Sequence, residues 1–203
     1  MHAALGDDKT AGDQGRAAIV LADGLGDPIA RAGGGHALAY LHIQQQDWHR
    51  ASELFEEIDG LLADSDNKFT RLFCGAHTAE ALWGLRRFDA ALRGSDGARA
   101  LARAAGSKPY EGLAQRVRGQ VLASLERWDE AGAAFDAAAA ILEALGARME
   151  LGRALYHRAL LHRLNGNAQA MREDAQRAMA AFADTGAQRD RSRAERLLEG
   201  PQH

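Results

Sequence analysis

The chain has 203 residues, 46% of them hydrophobic, with a formal net charge of −3 and one cysteine. A single cysteine excludes an intrachain disulfide and a thiolate metal cluster, and no apolar run approaches the ~18 residues of a membrane span. Residues 1–70 hold 12 acids and 5 bases whereas residues 71–203 hold 16 acids and 20 bases; without a concentrated basic stripe this bias reads as solvated helix faces and weighs against nucleic acid.

Runs of Val, Ile and Thr are scarce, so strands are poorly supported and the elements read as helices. Residues 1–13 are polar and lack the apolar core of a secretory leader, which points to a cytoplasmic protein. The first helix spans 7–25, with Ala11, Ala18 and Leu21 in helical phase and Gly26 as its stop. Asp27-Pro28 opens the next, to near Gln45, since proline is tolerated in a first turn where no backbone donor is needed. Asp47 opens a helix through Leu62. Helices follow over 67–85 and 89–105. Ser107 is placed to cap, and Pro109 to start, a helix to about Leu125 carrying Leu113, Val117, Val121 and Leu122 at helical spacing. Asp129 caps or opens the next, closed by Gly146, a residue suited to the left-handed conformation. Helices over 147–164, 167–185 and a shorter polar-faced one over 187–198 complete the chain.

These elements recur with a step of 40. Trp48, Phe88, Trp128 and Ala168 share one position; Ala51, Ala91, Ala131 and Met171 share another; Gly26, Gly106, Gly146 and Gly186 a third, with Asp66 in its missing slot. Such a period marks a stacked repeat. The expected organisation is a half repeat at 1–26, full repeats at 27–66, 67–106, 107–146 and 147–186, and a capping helix at 187–203. Residues 7–25 fall in the phase of a second helix whose first helix is missing. The chain is therefore expected to be a fragment, to have a mis-assigned start, or to begin with a naked second helix, the first two being favoured.

The residues that repeat resemble the tetratricopeptide signature, in which a small residue in the first helix is followed by an aromatic, an alanine, an aromatic and an alanine. Gly119, Trp128, Ala131, Phe135 and Ala138 match in order. Ala39, Trp48, Ala51, Phe55 and Ile58 match nearly as well; Ala79, Phe88, Ala91, Ser95 and Ala98 lose one aromatic; Ala159, Ala168, Met171, Ala175 and Ala178 are the most degenerate set. The usual period is 34 residues, and 40 resembles the variant of bacterial multidomain transcriptional regulators and adenylyl cyclases. The resemblance implies an all-α right-handed superhelix of antiparallel helix pairs, serving as a carboxy-terminal sensor or docking region.

Motifs for chemistry are sparse. His157 and His162 are five apart and His36 and His42 six apart, not the i, i+4 spacing of a helical zinc site. Gly33-Gly34-Gly35 lacks the Lys-Ser or Lys-Thr of a phosphate loop and is expected to weaken or kink the start of its helix. Cys74 sits where Gly34, Ala114 and Ala154 stand in other repeats, which suggests a small, buried position. No nucleophile elbow or paired acid set is visible. The reading is non-catalytic, with no cofactor and no metal.

Solenoids offer extended surfaces. The resemblance places the first helices on the concave side, and helical periodicity then puts His36, Tyr40, Gln44, Phe73, Glu80, Trp83, Arg116, Gln120, Arg153, Tyr156 and Arg163 on the open face. Arginine and aromatics are frequent anchors of binding energy, and the arginine fork suits carboxylates. The expected function is a protein-interaction or regulatory module in signalling or transcriptional control, taking a protein or peptide partner, or the parent protein's own effector domain, in this groove. Two alternatives stand beside it: a small-effector sensor around Tyr40 and Trp83, and self-assembly through residues 7–25.

Overall fold

The computed structural model describes residues 7–63, 68–183 and 185–199. Among them are ten α-helices and no strand: α1 (Asp8–Leu25), α2 (Pro28–Gln45), α3 (Trp48–Leu61), α4 (Lys68–Gly84), α5 (Phe88–Ala104), α6 (Lys108–Ser124), α7 (Trp128–Ala144), α8 (Arg148–Leu164), α9 (Ala168–Phe182) and α10 (Gln188–Glu199). The fold class is an all-α solenoid of helix pairs. No described helix is long and apolar enough to cross a membrane. The chain divides into two compact units, Met1–Leu101 and Ala102–His203.

The turns explain the regularity. A left-handed residue closes the turn at Gly26, Gln46, Arg86, Gly106, Glu126, Gly146, Gly166 and Gly186, spaced by twenty residues except for the gap between 46 and 86, where α3 closes at Leu62 with φ −110°. At the first of these the Gly26 N–H reaches the Asp23 carbonyl and the Asp27 N–H reaches the Ala22 carbonyl. The same pair of bonds closes the turns at 46, 86, 106, 126, 146 and 166. This is the Schellman arrangement, which satisfies carbonyls that the helix end would otherwise orphan. Three of the turns use a side-chain-bearing residue at positive φ: Gln46, Arg86 and Glu126.

Helix starts are capped by Asp7, Asp27, Asp47 and Asn167, whose side-chain oxygens accept backbone N–H bonds. Ser107 occupies an N-cap position but its hydroxyl makes no capping bond. Asp129 lies inside the first turn of α7, behind Arg127 at the cap. Helix α9 stops at Phe182 rather than 185, where the Thr185 N–H and hydroxyl both turn back to the Phe182 carbonyl. Asp66, the predicted odd member of the glycine series, lies outside the described residues.

In unit 1, α1 packs on α2, α2 on α3, and α4 on both α2 and α3. Helices α1 and α2 approach closely: a Cβ on Gly34 would stand 3.1 Å from the Ile19 backbone nitrogen and 3.2 Å from the Gly15 carbonyl oxygen. The triple glycine does not end its helix: α2 is continuous through it, and Gly34 lets two backbones touch. Trp48 fits over Gly84, where no side chain has room, and packs edge-on against Trp83 with ring centroids 5.9 Å apart. In unit 2, Phe135 covers Gly119 and Phe182 covers Gly152 in the same manner. Ala51, Ala91 and Ala131 are fully buried, as expected of positions where close helix approach leaves room for one methyl group. Cys74 is buried, and burial pushes its thiol up to about 12.

Candidate functional site

The eleven groove positions fall on four helices, and the two units treat them differently. In unit 1, α2 carries His36, Tyr40 and Gln44 while α4 carries Phe73, Glu80 and Trp83. His36 Nε2 lies 3.1 Å from His77 Nδ1, so one imidazole donates its N–H to the bare nitrogen of the other. Phe73 meets His36 edge-on at 4.7 Å, and Tyr40 meets His77 at 5.0 Å. Burial, and then the neighbouring His77, hold His36 down to about 3, so it is neutral at ordinary pH. Glu80 is buried; Tyr40, Gln44, Phe73 and Trp83 are half-buried. The result is an aromatic and imidazole seam between successive first helices.

In unit 2 the corresponding residues form an ionic ladder. Arg116 of α6 is 1% exposed. Its Nε donates to Glu150 Oε2 at 2.9 Å and its Nη1 to Gln120 Oε1 at 2.8 Å. That second bond fixes the Gln120 amide, whose nitrogen then faces His157 Nε2 at 2.9 Å. His157 accepts there, which leaves its proton on Nδ1. Glu150 of α8 passes the chain onward, its Oε1 accepting from Arg153 Nη1 at 2.6 Å. Arg153 turns its Nε and Nη2 onto Asp190 Oδ2 of α10 at 2.9 and 2.7 Å. Three first helices are thus tied by two buried guanidiniums and two carboxylates, a neutral set. A buried pair of this kind stabilises little against an apolar equivalent, but it fixes register, and losing one member strands its partner.

Arg116, Gln120 and Arg153 are therefore buried among each other. The predicted positions with exposure in this unit are Tyr156, half-buried beside His157 at 5.3 Å between ring centroids, and Arg163, exposed at the end of α8. Helix α10 adds residues that the sequence reading treated only as a solubilising face. Arg193 stands one period after Arg153, and Arg196 one period after Tyr156 and two after Arg116. Arg196 is exposed, and Arg193 leans on Asp190 Oδ1 at 3.5 Å. With Gln188, Arg189 and Ser192 they line a shallow open pocket. The step of 40 that located the other positions also reaches these two.

A second cluster lies on the other side of α8. Arg158 grips both oxygens of the buried Asp174 at 2.6 and 2.7 Å and reaches Asp136 at 2.5 Å. These bonds, foremost that to Asp174, raise its already high pKa. His162 faces Asp174 at 3.5 Å while His157 faces Gln120, so the two histidines of α8 turn to different partners. Among the described residues no three His, Cys, Asp or Glu side chains gather as a metal would require.

No protein-family model matches the chain, and no curated protein sequence does. Solved structures do match. Aspartyl phosphate phosphatase F from Bacillus subtilis is 18% identical with a TM-score of 0.69, over 86% of this chain and 47% of its own. BtubC (BKLC) from P. vanneervenii is 15% identical with a TM-score of 0.63, over 97% of this chain and 92% of its own. The chain spans about half the length of the first. These likenesses establish a helical repeat fold.

Proposed function

We propose that the chain is a non-catalytic interaction module whose first helices hold a segment of a protein partner, and that unit 2 selects an acidic segment. The observation that carries this reading is the split among arginines along one side of unit 2. Arg116 and Arg153 are consumed by the ladder, whereas Arg163 and Arg196 are exposed and Arg193 is partly so. The ladder itself illustrates the chemistry: Glu150 accepts from both Arg116 and Arg153, and Asp190 takes two N–H groups of the Arg153 guanidinium. In unit 1 the half-buried Tyr40, Phe73 and Trp83 offer apolar contact in place of charge. The setting we assign is regulatory: the bound segment belongs to a signalling or transcriptional partner, or to an effector domain of the same polypeptide.

The test is fluorescence anisotropy with labelled Glu- and Asp-rich peptides, against neutral peptides of equal length. Binding should be confined to the acidic set, weaken with added salt, and drop at least tenfold in a variant carrying Arg163→Glu and Arg196→Glu, which leaves Arg193 on Asp190. Equal binding of neutral peptides, or an unchanged affinity in that variant, overturns the reading.

A further inference from the structure

Two imidazoles from different helices meet inside unit 1. His36 of α2 and His77 of α4 are 41 residues apart in the chain, and His36 Nε2 lies 3.1 Å from His77 Nδ1. Their ring centroids are 5.2 Å apart, close to that gap plus a ring radius on either side, so the two nitrogens meet nearly head-on. A neutral imidazole carries one N–H and one bare nitrogen. A single proton therefore lies between the facing nitrogens, and two lone-pair axes converge on it. The walls are carbon. Phe73 stands edge-on to His36 at 4.7 Å, Phe55 of α3 is tilted against it at 6.1 Å, and Tyr40 stands edge-on to His77 at 5.0 Å. His77 itself is buried.

Unit 2 builds the same position differently. His157 stands two periods after His77 and also sends a ring nitrogen to the preceding first helix. There it meets the Gln120 amide, which Arg116 holds in place. An amide nitrogen offers no lone pair to a metal ion. Helix packing therefore accounts for a histidine at this position but does not call for a second imidazole opposite it. The repeat position of His36 is filled by Arg116 in α6 and Tyr156 in α8.

The ligand count selects the ion. Among the described residues no group of three His, Cys, Asp or Glu could hold a metal. Zinc and iron take three or four protein ligands, and either would bring two charges to a pair of neutral rings walled by carbon. Copper(I) differs on both counts: it carries one charge, and its filled d shell favours two ligands in line. Imidazole nitrogen suits copper. We propose that His36 and His77 form a two-coordinate copper(I) site, with the ion in the place of the shared proton and bound to His36 Nε2 and His77 Nδ1. The displaced proton moves to the outer nitrogen of the ring that carried it, so both imidazoles stay neutral and the site gains one positive charge. Metal–imidazole bonds of about 2 Å require the nitrogens to part from 3.1 Å by roughly 1 Å. The site lies in unit 1 and stands apart from acidic-segment capture by the arginines of unit 2.

Anaerobic titration of the full chain against copper(I) held by bicinchoninate tests this. The chain should withdraw one equivalent of copper(I) from the coloured complex. Its melting midpoint should rise with added copper(I), since an ion that binds only the folded state stabilises it, and should not rise with zinc(II). His36→Gln keeps a hydrogen-bonding partner for His77 but removes one metal ligand; it and His77→Phe should each weaken uptake at least tenfold with helical circular dichroism retained. Cys74→Ser should leave uptake unchanged. X-ray absorption at the copper edge reads the unaltered chain directly, and two nitrogens in line with no sulfur are expected there. No withdrawal of copper(I), a copper–sulfur distance, or uptake that survives both histidine variants overturns the proposal.

Discussion

Gly33 and Gly34 are neighbours in one helix, and the same substitution should move stability in opposite directions at the two. At Gly33 an added Cβ would meet nothing within 4 Å, so alanine gains its helix-propensity advantage of about 1 kcal/mol. At Gly34 the same gain is opposed by contacts of 2.9 Å to Ile19 Cγ1, 3.1 Å to the Ile19 nitrogen and 3.2 Å to the Gly15 carbonyl. Two of those atoms are backbone and cannot swing away; α1 must lift off α2. Overpacking of this kind costs about 1–3 kcal/mol, so against a gain of about 1 kcal/mol Gly34→Ala should be net destabilising by up to about 2 kcal/mol. Urea titration followed by circular dichroism reads both, and amide exchange in α1 should quicken for Gly34→Ala alone. In thermal melts of a chain this long, 1 kcal/mol moves the midpoint by about 2–4 °C. If both variants shift stability the same way, the close approach of α1 to α2 is not what Gly34 is for.

Glu126 pays for a left-handed backbone with a side chain, so Glu126→Gly should stabilise by about 0.5–1 kcal/mol, and an equal loss in urea titration would deny the Schellman turn there. Removing Arg153 takes the two short bonds from buried Asp190, leaving it beside Arg193 at 3.5 Å, while Glu150 keeps Arg116, so Arg153→Met should cost about 3–5 kcal/mol, much of it recovered by adding Asp190→Leu; no recovery in the double variant would mean that the ladder is not a unit. The Cys74 thiol, buried and pushed up to about 12, should resist a maleimide until the chain is unfolded in urea, and rapid labelling of the native protein would contradict its placement. His36 titrates near 6.5 when unfolded and about 3 when folded, so between those values the unfolded chain binds the extra proton. Its contribution is complete above pH 6.5 and is lost as pH falls, about 2 kcal/mol by pH 5 at roughly 1.4 kcal/mol per unit; His36→Phe should flatten that slope, and an unchanged slope would assign it to other groups.

Helix positions were legible because two signals agreed, apolar residues at helical spacing and glycine at the stops. The turns show where that legibility ended. Glycine stands at the left-handed position after the second helices at 26, 106, 146 and 186, and there the residue type itself announces the turn. After the first helices that position is Gln46, Arg86, Glu126 and only once a glycine, at 166. Nothing in those side chains announces a left-handed backbone, so the half-step of twenty was visible only once the turns were seen. Ser107 and Asp129 misled in a different way. Both are good capping residues by type, but a cap needs its oxygen over the first-turn N–H groups, and one hydroxyl points elsewhere while the other residue sits two positions inside.

The burial of the predicted groove residues was not legible. Helical phase fixed the side on which Arg116, Gln120, Arg153 and Tyr156 stand, and the structure puts them on successive first helices of one unit. Phase carries no information on what the neighbouring helix sends back. Glu150 and Asp190 lie three residues before Arg153 and Arg193 on their own helices, the spacing at which side chains stack along one helix, and both reach between neighbouring first helices to close a ladder. An arginine on such a face is a contact for a partner only if no carboxylate of the next repeat arrives first. By that criterion Arg116 and Arg153 belong to the ladder, and the proposed recognition rests on the exposed Arg163 and Arg196. A variant that reverses charge at Arg116 would abolish binding by breaking the fold and would say nothing about recognition. The informative perturbations are the exposed arginines, with the ladder left intact.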